Sequence, residues 1–429
     1  MIDINLIRRE PDVVRRSLTR RNELADVVDT ILALDIGRRS NIAEADTLRA
    51  SRNDASKAIG ALMQAGDGPQ AEAQKQAVRE IGDRLKALAD ALRVLDERTS
   101  EFMLGMPNIA SDEVPDGPDD SGNVIVWEEG ERRSYDFRLK PHWELSESLG
   151  ITDFERGAKI SGRMFYVLGE TGARLQRALV GYMLDLHRDQ HGYREWGVPF
   201  LVLRDAMIGS SNLPKFADAL YHDQEEDLWL IPTAEVPLTN LHREEILEPG
   251  TLPLKYMAHT PCFRKESAAA GQQVRGLKRV HQFEKVEMYQ FVEPETSMAA
   301  LDSIIESAAD VIRGLGLPFH LLQQCAGDLS FASTKSYDLE IYTPASEEWL
   351  EVSSISNCID FQARRANVRF RSEAGGRVEL VHTLNGSGLA IPRVIIAILE
   401  TCQQADGSVR VPDVLVPYLG GQSVLEPVG

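Results

Sequence analysis

Two stretches near the amino terminus repeat apolar residues at spacings of three and four. Val78, Ile81, Leu85, Leu88, Leu92 and Leu95 keep that rhythm strictly, which predicts a helix with a seam for lengthwise packing. The preceding half carries a matching seam, Ile31, Leu34, Arg38, Asn41, Ala45, Leu48, Arg52, Ala55 and Ile59, in which Arg38, Asn41 and Arg52 are polar. Looser packing is expected along its middle. From Val27 to Thr99 the sole proline is Pro69, inside the turn signal Gly66-Asp67-Gly68-Pro69. The pattern predicts an antiparallel helical coiled-coil hairpin. Roughly 30 residues per helix at 1.5 Å rise gives an arm of about 45 Å, too long for a single globular core, so it is expected to project into solvent. The pattern alone fits a structural or dimerisation coiled coil as well as a probe for a distant ligand.

Pro107, Pro115 and Pro118, among Asp and Gly residues over 106–123, mark a boundary, giving an N-terminal domain 1–110 with its arm at about 27–99 and a second domain 111–429. In the second domain, β-rich runs (Val124–Trp127, Met164–Leu168, Trp229–Ile231, Val286–Val292) alternate irregularly with amphipathic patterns. Leu175, Leu179, Met183 and Leu186 mark one helix; Met298–Leu315 predicts another, stopped by Gly314-Leu315-Gly316-Leu317-Pro318. Regular βαβ spacing is missing, so the expected class is α+β with an antiparallel sheet.

The length of 429 residues fits two or three domains, and 43% hydrophobic content supports a substantial core. No stretch approaches the roughly 18 apolar residues of a membrane span, and no secretory leader is legible, so a cytoplasmic protein without membrane attachment is expected. Cys262, Cys325, Cys358 and Cys402 lie 63, 33 and 44 residues apart, too far for a CxxC knuckle; reduced buried thiols and no zinc are expected. A P-loop and a post-strand GxGxxG are also absent. The net charge of −19 is unevenly spread: residues 1–100 carry 17 Lys+Arg against 17 Asp+Glu, leaving 30 against 49 for the remainder. A neutral arm with that many cations can meet phosphates locally, so an RNA partner is permitted but not required.

Three separated segments combine polar groups with strand-forming residues. The first runs Pro261-Cys262-Phe263-Arg264-Lys265-Glu266, passes a Gly/Ala/Gln loop, and returns as Arg275-Gly276-Leu277-Lys278-Arg279-Val280-His281-Gln282-Phe283-Glu284-Lys285-Val286-Glu287. Two strands joined by that loop bring Arg264, Glu266, Phe283 and Glu287 onto one surface. Lys255–Lys285 holds seven cations and two anions inside an acidic domain, which suggests an anionic ligand; a solvated hairpin with surface ion pairs is the plainer alternative. The second segment is Glu351-Val352-Ser353-Ser354-Ile355-Ser356-Asn357-Cys358. Alternation sends Glu351 and Ser353 to one face and Val352 and Ser354 to the other unless a bulge intervenes, and its carboxylate and hydroxyls are hard ligands suited to Mg²⁺. The third, Leu384-Asn385-Gly386-Ser387-Gly388-Leu389-Ala390-Ile391-Pro392-Arg393, is expected to run as a glycine loop into the apolar helix Val394–Leu399. Arg393 falls in the first helical turn, where the macrodipole disfavours a cation unless it serves a ligand.

In this order the segments resemble the motifs of class II aminoacyl-tRNA synthetases, in detail those of bacterial-type seryl-tRNA synthetases. Phe-Arg-x-Glu with its His-Gln-Phe-Glu-Lys-Val-Glu return is similar to motif 2, Asn-Gly-Ser-Gly-Leu-Ala with Arg393 to motif 3, and the helix 172–190 running to Pro199-Phe200-Leu201-Val202 to motif 1. Thr233-Ala234-Glu235 resembles the family's serine-binding TxE segment. The likeness covers essentially the whole chain, the hairpin included.

The resemblance implies a class II antiparallel sheet flanked by helices, a homodimer formed through motif 1 of the catalytic domain, and a coiled coil that grips the long variable arm of tRNA(Ser). It implies activation of L-serine with ATP to seryl-adenylate, then transfer to tRNA(Ser) and, by shared architecture, tRNA(Sec). Arg264 and Arg393 take catalytic roles on the α- and γ-phosphates, Arg264 also on the serine carboxylate. Glu266 meets the adenine amino group and Phe283 stacks on its ring. Lys265, Val280, Val352 and Ser353 join the ATP site, and Glu351 and Ser354 hold Mg²⁺. Thr233, Glu235, Glu287, Asn357 and Ser387 complete the serine pocket. Three positions depart from the family's usual wording: Gly271-Gln272-Gln273-Val274-Arg275-Gly276 replaces Gly-Arg-Asp-Thr-Arg-Gly, Ser210-Ser211-Asn212 replaces Thr-Gly-Gln, and Pro392 replaces a frequent glycine. The departures leave room for a specialised duplicate serving a biosynthetic or inhibitor-resistance role, and a catalytically silent tRNA-binding paralogue is the reading from a different class.

Overall fold

The computed structural model describes residues 1–266 and 276–428; most of the loop 271–276 lies outside these described residues. Two compact units are present, one made of Ile2–Thr19 and Glu23–Met106, the other of Met1, Arg20–Asn22 and the chain from Pro107 onward.

In the first unit, short helices α1 (Ile4–Arg9) and α2 (Pro11–Arg20) precede the long pair α3 (Val27–Gln64) and α4 (Gly68–Gly105). The turn between the long helices follows its residues. Gly66 takes φ +78, the Asp67 carboxylate caps the Gln70 N–H, and Pro69 sits in the first turn of α4, where its missing N–H costs nothing. Ile31, Leu34, Ala45, Ala71 and Leu88 are buried along the seam. Its polar middle is bridged instead: Arg38 Nε reaches Asp96 Oδ1 at 2.6 Å, and Arg84 grips Glu44 through Nε at 2.7 Å and Nη2 at 3.0 Å. Such exposed pairs contribute about 0–1 kcal/mol each, less than the apolar contacts they replace. At the base, Arg8 grips the buried Asp35 carboxylate at 2.8 and 2.5 Å and holds it below the usual carboxylate range.

The second unit is built on an eight-stranded sheet of β1 (Val124–Glu129), β2 (Arg194–Glu195), β3 (Leu254–Phe263), β4 (Gln282–Val292), β5 (Phe319–Gln323), β6 (Lys335–Thr343), β7 (Glu348–Ile359) and β8 (His382–Ala390). The strands lie in the order β1-β5-β6-β7-β8-β4-β3-β2, antiparallel throughout except for the short edge pair β2–β3. Four helices flank or support this sheet: α5 (His142–Ser148), α6 (Glu170–Asp189), α7 (Ser297–Leu315) and α8 (Ile391–Cys402). Side chains from α6, α7 and α8 share one core with Val286, Met288, Ile355, Leu384 and Leu389 of the sheet. A second cluster forms where the short helices Glu235–Asn240 and Phe361–Ala366 meet Tyr289 and Phe291. α7 ends at Gly316 with φ +66, as its glycine-proline stop predicts. All four cysteines are free and buried, and no helix among the described residues is long and apolar enough to cross a membrane.

Two local expectations change. Within Met164–Leu168 only Val167–Leu168 is strand, because the chain turns at Gly162 (φ +94) and Met164 (φ +63). Gly386 and Gly388 lie inside β8, not in a loop entering a helix. Their role is room for packing: a Cβ on Gly386 would stand 2.5 Å from Ile304 Cγ2 of α7, and one on Gly388 2.7 Å from His187 Nε2 of α6.

Candidate active site

β4 is hemmed between β3 and β8, and its alternation divides two environments. Val286 and Met288 enter the core, while Phe283, Lys285 and Glu287 turn to the opposite face and line a cavity of about 530 Å³. At its floor, Thr233 Oγ1 donates to Glu287 Oε2 at 2.9 Å, and the Lys285 ammonium forms a close ion pair with that same oxygen. Glu235 differs. Gln362 Nε2 at 2.6 Å and Asn385 Nδ2 at 3.1 Å both donate to its Oε1, so its partners are neutral amides. Burial, then the negative charge of Glu287, pushes Glu235 up to about 7 from an ordinary 4.5. The residue keeps a little surface inside the cavity, but its carboxylate is enclosed by protein, and that enclosure sets the shift. Glu287 has a cation in direct contact; among the described residues Glu235 has none, and the charges of Lys285 and Arg264 act on it only from a distance.

Arg264 follows the end of β3 and is anchored by its backbone, which exchanges hydrogen bonds with His281: the Arg264 N–H donates to His281 O, and Arg264 O meets His281 Nδ1, both at 2.9 Å. Its Nε donates to Pro232 O at 3.3 Å, and the guanidinium carbon lies 5.0 Å from the centre of the Phe283 ring. Glu266 stands at φ +47, a left-handed conformation disfavoured outside glycine, and accepts from Arg279 Nη1 at 3.4 Å. From the other wall, Arg393 in the first turn of α8 donates to Glu351 O at 2.6 Å and lies 3.5 Å from the Glu351 carboxylate. Arg264 and Arg393 therefore reach one cavity from strands and helices more than a hundred residues apart.

A bulge sets the metal-binding candidates. Leu339 pairs with Ser353 and Glu340 with Glu351, so Val352 is the extra residue and simple alternation fails there. Glu351, Val352 and Ser354 line the cavity, whereas Ser353 turns its Oγ to donate to Ser387 O at 2.6 Å. Behind them, Asp338 pairs across the strands with Ser354 and is pushed up to about 8, by burial first and the Glu351 charge second. A carboxylate and a hydroxyl on the wall, a second carboxyl crowded behind, and no soft donor among them fit a hard cation such as Mg²⁺. Among the described residues no group of three or more His, Cys, Asp and Glu is placed to hold a metal by itself. The cysteine spacing says nothing of a His-x-x-x-His pair: His187, near the end of α6, and His191, two residues beyond it, hydrogen-bond to each other through Nδ1 at 2.9 Å, and His191 Nε2 turns to Asp310 at 3.1 Å.

The cavity wall holds Thr233, Glu235, Arg264, Glu266, Val280, Phe283, Glu287, Glu351, Val352, Ser354, Ser387 and Arg393. Three residues expected there are elsewhere. Lys265 is exposed with its ammonium 5.9 Å from the Tyr221 ring, Ser353 is turned to Ser387, and buried Asn357 donates to Met298 Sδ at 3.6 Å while accepting from the Ile359 N–H. The sequence reading missed Lys285, Asn385 and Gln362. The first two were within reach, since Lys285 shares parity with Phe283 and Glu287, and Asn385 with Ser387. Gln362, on a six-residue helix, carries no such signal. Ser210, Ser211, Asn212 and Pro392, where the wording departs from the family's, also line the cavity.

Comparison with known proteins covers the whole chain. The family model of the seryl-tRNA synthetase N-terminal domain matches residues 1–110, and that of the class II tRNA synthetase core domain (G, H, P, S and T) matches residues 216–402. A serine–tRNA ligase of Thermomicrobium roseum is 56% identical over 98% of this chain and 94% of its own length. The crystal structure of seryl-tRNA synthetase from Pyrococcus horikoshii complexed with ATP superposes with a TM-score of 0.95 at 37% identity, covering 100% of both chains. The cytoplasmic serine–tRNA ligase of Naegleria fowleri in complex with AMP gives a TM-score of 0.89 at 28% identity over 100% of this chain and 99% of its own. By whole-length identity, by both family models and by fold, the chain belongs to the seryl-tRNA synthetase family of class II aminoacyl-tRNA synthetases.

Proposed function

We propose that this chain activates L-serine with ATP and transfers the seryl group to the 3′ end of tRNA(Ser), with tRNA(Sec) as a second acceptor. The observation that carries the reading is the pairing of an enclosed carboxylate, without an ion-pair partner among the described residues, with two convergent guanidinium groups in one cavity. A zwitterionic amino acid and a triphosphate together supply what those groups lack. Glu235 meets the serine ammonium, and Glu287, held by Thr233 and Lys285, accepts from the serine hydroxyl. Alanine leaves those buried polar groups unpaired, a basis for rejection by roughly 10⁴-fold that an apolar pocket lacks.

In the first step an oxygen of the serine carboxylate attacks the α-phosphorus in line, and the bond to the bridging oxygen of pyrophosphate breaks. In the second, the tRNA hydroxyl attacks the acyl carbonyl of seryl-adenylate and AMP departs. Neither step needs a protein nucleophile; both need orientation and positive charge. Arg264 binds the α-phosphate and the serine carboxylate, Arg393 the γ-phosphate, Glu266 the adenine amino group and Phe283 its ring. Glu351 and Ser354 would hold Mg²⁺, which when bound supplies further positive charge to the triphosphate. Ser353 acts at one remove, fixing Ser387 through its main chain. The retained set of cavity side chains argues against a silent paralogue, because enclosed carboxylates are costly without ligands.

Residues 1–110, with the hairpin, serve as the tRNA-binding part, and 111–429 as the catalytic part. The exposed side chains of Trp196, Phe200, Leu201 and Leu203, just after α6, supply an apolar patch for a homodimer, and the cytoplasm is the setting. Serine-dependent ATP–pyrophosphate exchange tests the core of the proposal. Exchange is expected with serine and not with alanine, and deleting residues 30–98 is expected to keep exchange while abolishing aminoacylation of tRNA(Ser). Absence of exchange with serine, or its loss on deleting the arm, would overturn the reading.

A further inference from the structure

Leu277, Lys278, Arg279 and Val280, the return of the loop between β3 and β4, line the cavity, and the first of them is held from behind by a pair of residues outside it. His142, the first residue of α5, and Glu400, in the last turn of α8, are both fully buried. His142 Nδ1 lies 3.1 Å from Glu400 Oε1, and the Leu277 N–H donates to His142 Nε2 at 3.4 Å. Those partners assign the tautomer: the proton sits on Nδ1 facing the carboxylate, and the Nε2 lone pair faces the loop. The approach is close enough to require glycine alongside, since a Cβ on Gly276 (φ +81) would stand 2.1 Å from Nε2.

Glu400 is fully engaged. Its Oε1 also accepts from the His142 N–H and Ser346 Oγ at 3.0 Å, and its Oε2 from the Ala345 and Ser346 N–H groups at 3.1 Å. Burial alone would raise this carboxyl, but the hydrogen bonds from His142 and Ser346 prevail and hold it below the ordinary carboxylate range. Ala345 and Ser346 belong to the turn between β6 and β7, and Glu348 just beyond it forms a close ion pair with Lys278. One carboxylate thus joins three elements: the loop return on the cavity wall through His142, the β6–β7 turn directly, and α8, whose first turn carries Arg393 into the cavity.

We infer that His142 is a positioning residue for the nucleotide: with Glu400 it fixes the segment 277–280 relative to the helix that bears Arg393, without touching the ligand itself. The inference rests on the cavity being the ATP site of the proposed function. His142→Asn keeps a donor for Glu400 but leaves the Leu277 N–H without its acceptor, whereas His142→Gln returns an acceptor to the Nε2 position. Glu400→Gln, keeping its oxygen toward the Ala345 and Ser346 N–H groups, turns its amide toward Nδ1 and the His142 N–H, and so drives the imidazole proton to Nε2, where it opposes the Leu277 N–H.

The test joins two measurements on the full chain. Steady-state pyrophosphate exchange is expected to give a KM for ATP about tenfold higher in H142N and E400Q, the KM for serine staying within about twofold, and H142Q close to wild type. Amide hydrogen–deuterium exchange is expected to accelerate about tenfold in the peptide containing 276–280 for the same two variants, with α7 as protected as in wild type. Unchanged exchange in that peptide overturns the inference whatever the activity. So does faster exchange with an unaltered KM for ATP, or an equal rise in both KM values together with loss of protection in α7, which is a merely structural role. Should H142N not fold, E400Q alone decides. If the wild-type chain lacks serine-dependent pyrophosphate exchange, the ATP reading fails, while the amide measurement still decides whether the clamp exists.

Discussion

Replacing Glu235 by Gln probes the electrostatic design of the cavity floor. Its carboxyl is raised from 4.5 to about 7, so the folded state favours the protonated form. The sign follows: the stabilising contribution is full below about 4.5 and is lost as pH rises through about 7. A gap of that size corresponds to about 3 kcal/mol by pH 8, borne by the ligand-free protein whenever the group is ionised. Glutamine keeps an oxygen for the Gln362 and Asn385 amides and carries no charge, so in the ligand-free protein it removes the ionisation penalty while retaining those two hydrogen bonds. All five tryptophans lie beyond Pro107, which makes their fluorescence a selective reporter of the second unit in urea titrations. E235Q is expected to match wild type near pH 4 and to exceed it by about 3 kcal/mol at pH 8. Serine binding, which needs the ionised form for the ammonium, is expected to strengthen in wild type across that same interval and to be lost in the variant. Stability curves that run parallel from pH 5 to pH 8 would refute the argument, because an exposed or compensated carboxylate gives that result.

Three further outcomes are expected from the same geometry. Arg264→Ala is expected to cut pyrophosphate exchange by about 10³-fold with little change in the urea midpoint, since among the described residues its side chain makes one hydrogen bond, the 3.3 Å contact to Pro232 O; retained exchange would remove it from the reaction. Gly388→Ala places a Cβ 2.7 Å from His187 Nε2 and 3.1 Å from Val286 Cγ1, and is expected to cost about 1–3 kcal/mol in the same titration; a neutral effect would mean that β8 and α6 separate freely. Thr233→Val leaves Glu287 without its hydroxyl donor and is expected to narrow the serine-over-alanine ratio of kcat/KM in exchange assays, with unaltered discrimination counting against the pocket assignment.

The hairpin was legible because a coiled seam and a glycine-proline turn are local signals, and the cap on α4 uses Asp67, Pro69 and nothing distant. The side chains of β4 were legible for a similar reason: parity along a strand needs no knowledge of its neighbours. What parity could not supply was the bulge at Val352, which depends on how β6 aligns with β7 and decides which of Ser353 and Ser354 reaches the cavity. The glycines of β8 were misread as a loop because their purpose, clearance for Ile304 and His187, lies in helices distant in the chain. Lys265 follows Arg264 directly but has no strand to fix its direction, and it points away. The assignment of individual side chains to adenine, phosphate and serine came from resemblance, since spacing alone left a solvated hairpin open.

The alternation of β4 also constrains how such a site can change. Phe283, Lys285 and Glu287 ride one face while Val286 and Met288 ride the other, so inserting or deleting a single residue within the strand would exchange the faces of all residues to one side of the change. Charged groups would be driven among the aliphatic side chains of α6 to α8, and hydrocarbon would front the ligand. New amino-acid preferences can therefore be reached by exchanging side chains along this strand but not by altering its length, and variation in length is confined to the connections at its ends.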